Sequence, residues 1–199
     1  MGKDESNTLA NLISTLGLFE NDVSLLYRDI AAKVWLPLIE SMLLEISLDS
    51  QKHSIILKGI EDSLPRIDCA SKDCDKTFVE TRRTIEKFRD EVRSAPSLDE
   101  EEIMELSVQL LAIENIMIDE YKFFVEFATQ QLMTNALQRI YNVNENIVRT
   151  LFADMISDEN RHKEKLTTIK DLLDWRELRR VDNTPKVLYR NPDAWSRPP

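Results

Sequence analysis

The 199-residue sequence contains two histidines, and each follows an aspartate by four positions, in Asp49…His53 and Asp158…His162. The second run also has Glu159 three residues before His162, the Glu-x-x-His spacing that lets both side chains of a helix reach one metal cluster. Two further carboxylates interrupt apolar stripes. Glu20 is in line with Leu16, Val23 and Tyr27, and Glu114 with Leu110, Met117 and Tyr121. Both are followed by a tyrosine at seven residues, two helical turns on, so each tyrosine stacks on the face of its glutamate. Inward carboxylates are costly unless neutralised, and a metal cation supplies the missing charge. A lone inward histidine is usually a satisfied core group, and a single Glu-x-x-His arises by chance on any charged helix. The doubling of the pattern sets this sequence apart.

These residues need helices to place them, and the composition offers little else. Only three glycines are present (Gly2, Gly17 and Gly59), against a usual share of roughly 7%. Hairpin turns, dinucleotide folds and P-loops all need glycine, so these classes are nearly excluded. Pro37, Pro65 and Pro96 divide the body, leaving Thr8 to Leu36, Leu38 to Leu64, and Ser97 to Trp175 free to be helical. The first segment repeats apolar residues at Ile13, Leu16, Val23, Ile30 and Val34, with Asn7 as its expected N-cap. The second does so at Ile39, Leu43, Ile46, Leu57 and Ile60, and Pro37 marks a tight turn between an antiparallel pair.

Residues 65–96 read as a long connector holding a charged amphipathic stretch, Asp75 to Val92. Ser97 and Glu100 form the expected capping box of a third long helix, which runs through Ile103, Leu106, Leu110, Ile113, Met117, Phe124 and Ala128. A last helix is expected from about Asn144 to Leu173, with Val148, Leu151, Met155, Leu166 and Ile169 inward. Residues 176–199, first basic and then proline-rich, read as an extended tail. The expectation is all-α: a four-helix bundle over residues 8–175, with one helix pair at 8–64 and a second at 97–175.

The arrangement resembles the ferritin-like di-iron carboxylate proteins, and rubrerythrin-type domains most closely, over roughly residues 8–175. In that family each half supplies a glutamate from one helix and an Asp-Glu-x-x-His run from the next. The resemblance implies metal ligation by Glu20, His53, Glu114, Glu159 and His162, with Asp49 and Asp158 orienting the imidazoles from behind. It places Tyr27 and Tyr121 beside the cluster as hydrogen-bond donors or redox neighbours, the residues to examine for a catalytic part. Hard carboxylate oxygens with one imidazole per metal suit iron or manganese, and zinc is a further alternative. Two iron ions are expected, or one.

The first half departs from the family at Ser50, which stands where the second half has Glu159. The family's bridging glutamate is absent there, which leaves a cluster with one bridging carboxylate, a single-metal site, or a site that has lost its metal. Asp49 shares the face of His53 and is a shorter-armed substitute. Spacing leaves a second choice open. Glu20 and His53 are 17 and 16 residues from Pro37 and so are level, whereas with a second turn near Asn142 Glu114 would lie about 12 Å too far along. A turn near Thr134 to Leu137 resolves this, as does Glu126 acting as the ligand in place of Glu114. Glu114 is preferred because it shares the core stripe with Tyr121. Cys69 and Cys74 form a local disulfide or stay reduced thiols; a rubredoxin-type iron centre needs four thiolates and this sequence has two cysteines, so that module is absent.

The function expected from the resemblance is a rubrerythrin-like peroxidase or ferroxidase, reacting with O2 or H2O2 through iron. A helical structural or interaction protein with a degenerate metal site is the alternative. The net charge of −10 argues against nucleic acid and anionic membranes as partners. The longest uncharged run, Phe127 to Gln138, is 12 residues, too short to span a bilayer. No export signal opens the chain, and the match of its first residues to a myristoylation pattern reads as chance, so the cytoplasm is expected. Leu188, Tyr189 and Trp195 are apolar anchors in a polar tail and suggest a homodimer in which residues 183–199 lie across a neighbour.

Overall fold

The computed structural model describes residues 3–63, 76–123, 125 and 145–181. Among them the regular secondary structure is all helical: α1 (Lys3–Ala31), α2 (Pro37–Ser63), α3 (Lys76–Ser94), α4 (Glu100–Phe123) and α5 (Glu145–Val181). No helix in these residues is long and apolar enough to cross a membrane.

Several expected boundaries move, each for a local reason. Asn7 is inside α1, which already begins at Lys3. Pro37 is not a spacer but the first residue of α2, where a missing N–H costs nothing. Val34 is buried, yet lies beyond the end of α1, in the turn that Lys33 N and Val34 N tie back to Ile30 O and Ala31 O. The capping box is built two residues later than Ser97 and Glu100. Asp99 Oδ1 accepts from Glu102 N at 2.9 Å, and Glu102 Oε2 accepts from Asp99 N at 2.8 Å. The charged Asp provides a stronger cap than the Ser97 hydroxyl because it also meets the positive end of the helix dipole. The last helix continues through Val181, so Arg176 to Val181 are helix and not tail.

Level contacts give the directions. Ser24 and Ser47 hydroxyls are 3.3 Å apart, and Ser54 donates to Gly17 O at 2.8 Å, so α1 and α2 run antiparallel. Gly17 permits this approach: a Cβ there would stand 3.4 Å from the Cβ of Leu57. Tyr121 and Phe152 pack with ring centroids 6.0 Å apart while Glu114 meets His162, so α4 and α5 are antiparallel too. The connector helix α3 lies along α1. Arg82 Nε is 2.7 Å from Asp22 Oδ2, and Arg89 and Arg93 share Asp29 at 3.1 and 2.9 Å. Ile85 and Val92 bury its apolar stripe in the common core.

Lys33 then fixes the entry to α4, with Nζ donating to Ala95 O at 2.7 Å and its carbonyl accepting from Leu98 N at 3.1 Å. Ile13, Leu16, Phe19, Val23, Leu26, Ile39, Leu43, Leu57, Leu110, Met117, Phe152 and Leu166 belong to one buried core, to which α1, α2, α4 and α5 all contribute. Phe124, Ala128, Cys69, Cys74, the second turn and the proposed dimer tail lie outside the described residues.

Candidate metal centre

Facing positions on α1, α2, α4 and α5 bring Glu20, His53, Glu114, Glu159 and His162 together, and each is at most 1% exposed. Their ligand atoms form two groups, Glu20–His53–Glu159 and Glu114–Glu159–His162, within which every such atom lies within 4.8 Å of the others. Glu159 belongs to both. Its Oε1 is 2.9 Å from His53 Nδ1, and its Oε2 is 3.4 Å from His162 Nδ1. The two imidazole centroids are 6.2 Å apart. Each imidazole turns Nδ1 inward, 3.1 Å from Glu20 Oε1 in one case and 3.1 Å from Glu114 Oε2 in the other. Glu126 lies outside the described residues, and Glu114 is level with His162.

The polar contacts cross between the helix pairs. Tyr27 stands on the helix of Glu20 but donates its hydroxyl to Glu114 Oε1, while Tyr121, on the helix of Glu114, donates to Glu20 Oε1. The aspartates exchange as well. His53 Nε2 is 3.1 Å from Asp158 Oδ2, and His162 Nε2 is 3.4 Å from Asp49 Oδ2. Exchanging the two helix pairs therefore maps Glu20 onto Glu114, Tyr27 onto Tyr121, His53 onto His162 and Asp49 onto Asp158. Only Glu159 maps onto a residue of different chemistry, the buried Ser50.

Lys52 was not legible as part of this site. Its ammonium bridges Asp49 Oδ1 at 2.8 Å and Asp158 Oδ2 at 2.6 Å, closing the outer side of the cluster. Arg161, on α5, pairs with Asp158 as well. The signal that could have revealed both is the basic residue directly before each histidine, three after each aspartate.

The charges follow from these contacts. Burial opposes a charge on His53, but Glu159 and Glu20 outweigh it and lift the imidazole to about 11. His162 is lifted against burial by Glu114 and Glu159 to about 10. Burial and the nearby Glu20 and Glu114 push Glu159 up to about 8. Burial would raise Glu114 too, but the hydrogen bonds from His162, Glu159 and Tyr27 hold it low. Lys52 with an imidazole does the same for Asp49 and Asp158, and burial beside carboxylates pushes both tyrosines well above their ordinary range. Without a metal, the protons on the two imidazoles and Glu159 are what balance this cluster.

The donor set fits a metal pair. Three carboxylates and two imidazoles offer hard oxygen with one nitrogen per ion, and each imidazole has an aspartate behind it. Two buried oxygens, Glu20 Oε2 and Glu159 Oε1, have no hydrogen bond, although buried polar atoms are ordinarily satisfied. Glu159 Oε1 is near His53 Nδ1, but only Glu20 makes a hydrogen bond there. Both oxygens belong to the Glu20–His53–Glu159 group; Glu159 Oε1 is ion-paired with His53, and Glu20 Oε2 is left for a cation to satisfy. In comparisons with protein-family models, curated proteins and solved structures, nothing matches this chain.

Proposed function

We propose that the chain is a ferritin-like four-helix bundle holding a two-metal carboxylate centre, with iron as the first candidate and manganese or zinc as alternatives. In this reading it is a rubrerythrin-like oxidoreductase that reacts with O2 or H2O2. The observation that carries it is the pair of buried carboxylate–imidazole groups that share Glu159, in the first of which Glu20 Oε2 is left without a hydrogen bond. Leaving such an atom unpaired costs roughly 1–3 kcal/mol, which a bound cation would remove.

When bound, reduced iron supplies the electrons for the reduction of O2 or peroxide. The chain's own residues do the rest. Glu20 with His53 would hold one ion and Glu114 with His162 the other, and Glu159, which belongs to both groups, would serve each. Asp158 and Asp49 accept from the outward Nε2–H groups, which leaves Nδ1 as the ligating atom. Tyr27 and Tyr121 hold protons at Oη against Glu114 and Glu20 and so fix the orientation of these two carboxylates. The apolar wall of Leu16, Val23, Met117 and Phe152 excludes bulk water.

Metal content tests this. Protein loaded anaerobically with Fe(II) and desalted should carry stoichiometric iron, and Glu159→Ala and His162→Ala should each lose it. Unchanged iron in both variants, or none in the unmodified protein, would overturn the reading. A second reading is a helical structural or interaction protein whose site has degenerated. It is favoured by Ser50 and by the protonated imidazoles, which pair with Glu20 and Glu114 and balance the cluster unaided. An unmodified protein that stays iron-free would support it.

A further inference from the structure

Three sides of α2 are accounted for within the chain. Ile46, His53 and Leu57 are buried toward the core. Ser47 and Ser54 donate to backbone oxygens of α1 at 2.8 Å each. Glu45 and Lys52 reach Lys165 and Asp158 of α5 at 2.8 and 2.6 Å. The fourth side carries Ser41, Leu44, Leu48, Gln51 and Ile55, all exposed and none charged. Leu44, Leu48 and Ile55 are 38%, 62% and 67% exposed, on the side where an amphipathic helix ordinarily puts its charges. The Ser41 hydroxyl already donates to Pro37 O at 2.8 Å. The steps along this line are three, four, three and four residues, the spacing of a seam that packs against another helix.

We propose that this line is the contact of a symmetric dimer, in which α2 packs antiparallel on α2 of a second copy, across a two-fold axis between Asp49 and Ser50. Leu44 then meets Ile55 of the second copy and Leu48 meets its Gln51, each contact occurring twice. The two Leu48 side chains are offset by three residues, about 4.5 Å along the axis. Charge selects this occupant and this direction. Glu40 and Lys58, 18 residues and five turns apart, edge the line on the α1 side. Glu45 and Lys52, seven residues apart, edge it on the α5 side. Antiparallel pairing sets Glu40 beside Lys58 of the second copy and Glu45 beside its Lys52, so each acid meets a base. Glu45, Lys52 and Lys58 keep 61%, 48% and 60% of their side chains exposed for this. Parallel pairing would instead set Glu40 against Glu45. α4 also exposes Val108 and Ile116, but Glu101, Glu105 and Asp119 share that line, and pairing it with itself would set Glu105 against Asp119. The α2 contact needs neither a metal nor residues 183–199.

Sedimentation equilibrium of the full chain at tens of micromolar should show a dimer. Leu48→Glu places a carboxylate beside the axis and should weaken that dimer at least about thirtyfold, with helix content by circular dichroism unchanged. A monomeric unmodified protein overturns the proposal; it is the result expected if residues 183–199 of the same chain cover the line. A dimer that Leu48→Glu leaves intact overturns it too, and moves the contact to another surface such as α4. Charge exchange tests the direction, and serves alone should Leu48→Glu fail to fold. Glu40→Lys and Lys58→Glu should each weaken self-association about tenfold. An equimolar mixture of these two variants should recover the dimer as a heterodimer, because each chain then meets the opposite charge at both positions. A mixture no tighter than either variant alone refutes the antiparallel contact.

Discussion

His53 takes its outer hydrogen-bond partner from another helix: Nε2 lies 3.1 Å from Asp158 Oδ2 on α5, although Asp49 stands four residues before it on α2. Asp49 turns instead to His162, at 3.4 Å. The imidazole of each helix pair is thus oriented by the other pair, and each histidine position depends on the packing of α2 against α5. Asp158→Asn should therefore disturb the Glu20–His53–Glu159 group and Asp49→Asn the other. Loss of an outer carboxylate typically lowers metal affinity about 10–100-fold. Histidine nitrogen shifts in the metal-free variants give the assignment, and a change confined to the histidine of the same helix would contradict the crossed pairing.

The tyrosines support a second expectation. Tyr27→Phe removes the donor to Glu114 Oε1, and Tyr121→Phe removes the donor to Glu20 Oε1, in both cases leaving a carboxylate oxygen buried without it. The metal-free protein should lose roughly 1–3 kcal/mol in either variant, measured by urea unfolding with a chelator present. Saturating metal should recover part of that loss, since a cation also serves the orphaned oxygen. A deficit just as large in the metal-saturated protein would mean that the tyrosines stabilise the fold and have no special relation to the centre.

What the sequence discloses here depends on whether a relation lies within one helix or between two. Glu20 with Tyr27, and Glu159 with His162, share a face by spacing alone, so their inward direction was legible. The choice of Glu114 by Tyr27, or of Asp158 by His53, depends on how far one helix slides past another, and residue periodicity is silent about that. Lys52 was hidden for a related reason: a lysine between a glutamine and a histidine looks like a solvated surface residue until two aspartates from different helices meet it. Helix ends were the other weak point. Ser97 and Asp99 can both cap, and the tie of Leu98 N to Lys33 O is a long-range contact that helps select the later start.

That selection gives a third test. Asp99→Ala should cost about 1 kcal/mol, the usual worth of an N-cap, while Ser97→Ala should leave stability within a few tenths of that of the unmodified protein. Urea midpoints of the two variants, taken side by side, suffice. The opposite order would return the start of α4 to Ser97.

The pH dependence of the metal-free and metal-loaded forms should have opposite signs. His53 and His162 are raised from 6.5 to about 11 and about 10, so the stability they contribute is fully present below pH 6.5 and is lost as pH rises through the folded values. Glu159, raised from 4.5 to about 8, acts in the same direction, because the unfolded chain gives up this proton first. Asp49, Asp158 and Glu114 are lowered, and their contribution is lost on the acid side as pH falls through the folded values. The chelated protein should therefore be most stable on the weakly acidic side of neutrality and unfold at lower urea at about pH 9 than at about pH 6. Metal reverses the alkaline limb. Ligation needs Nδ1 of both imidazoles and both oxygens of Glu159 free of protons, so loading releases protons, and its stabilisation grows with pH over the same window. Calorimetric titration with Mn(II) in two buffers of different ionisation enthalpy should read that release directly. A chelated protein that gains urea resistance between the two pH values, or a loading heat independent of buffer, would mean that the imidazoles and Glu159 do not hold these protons.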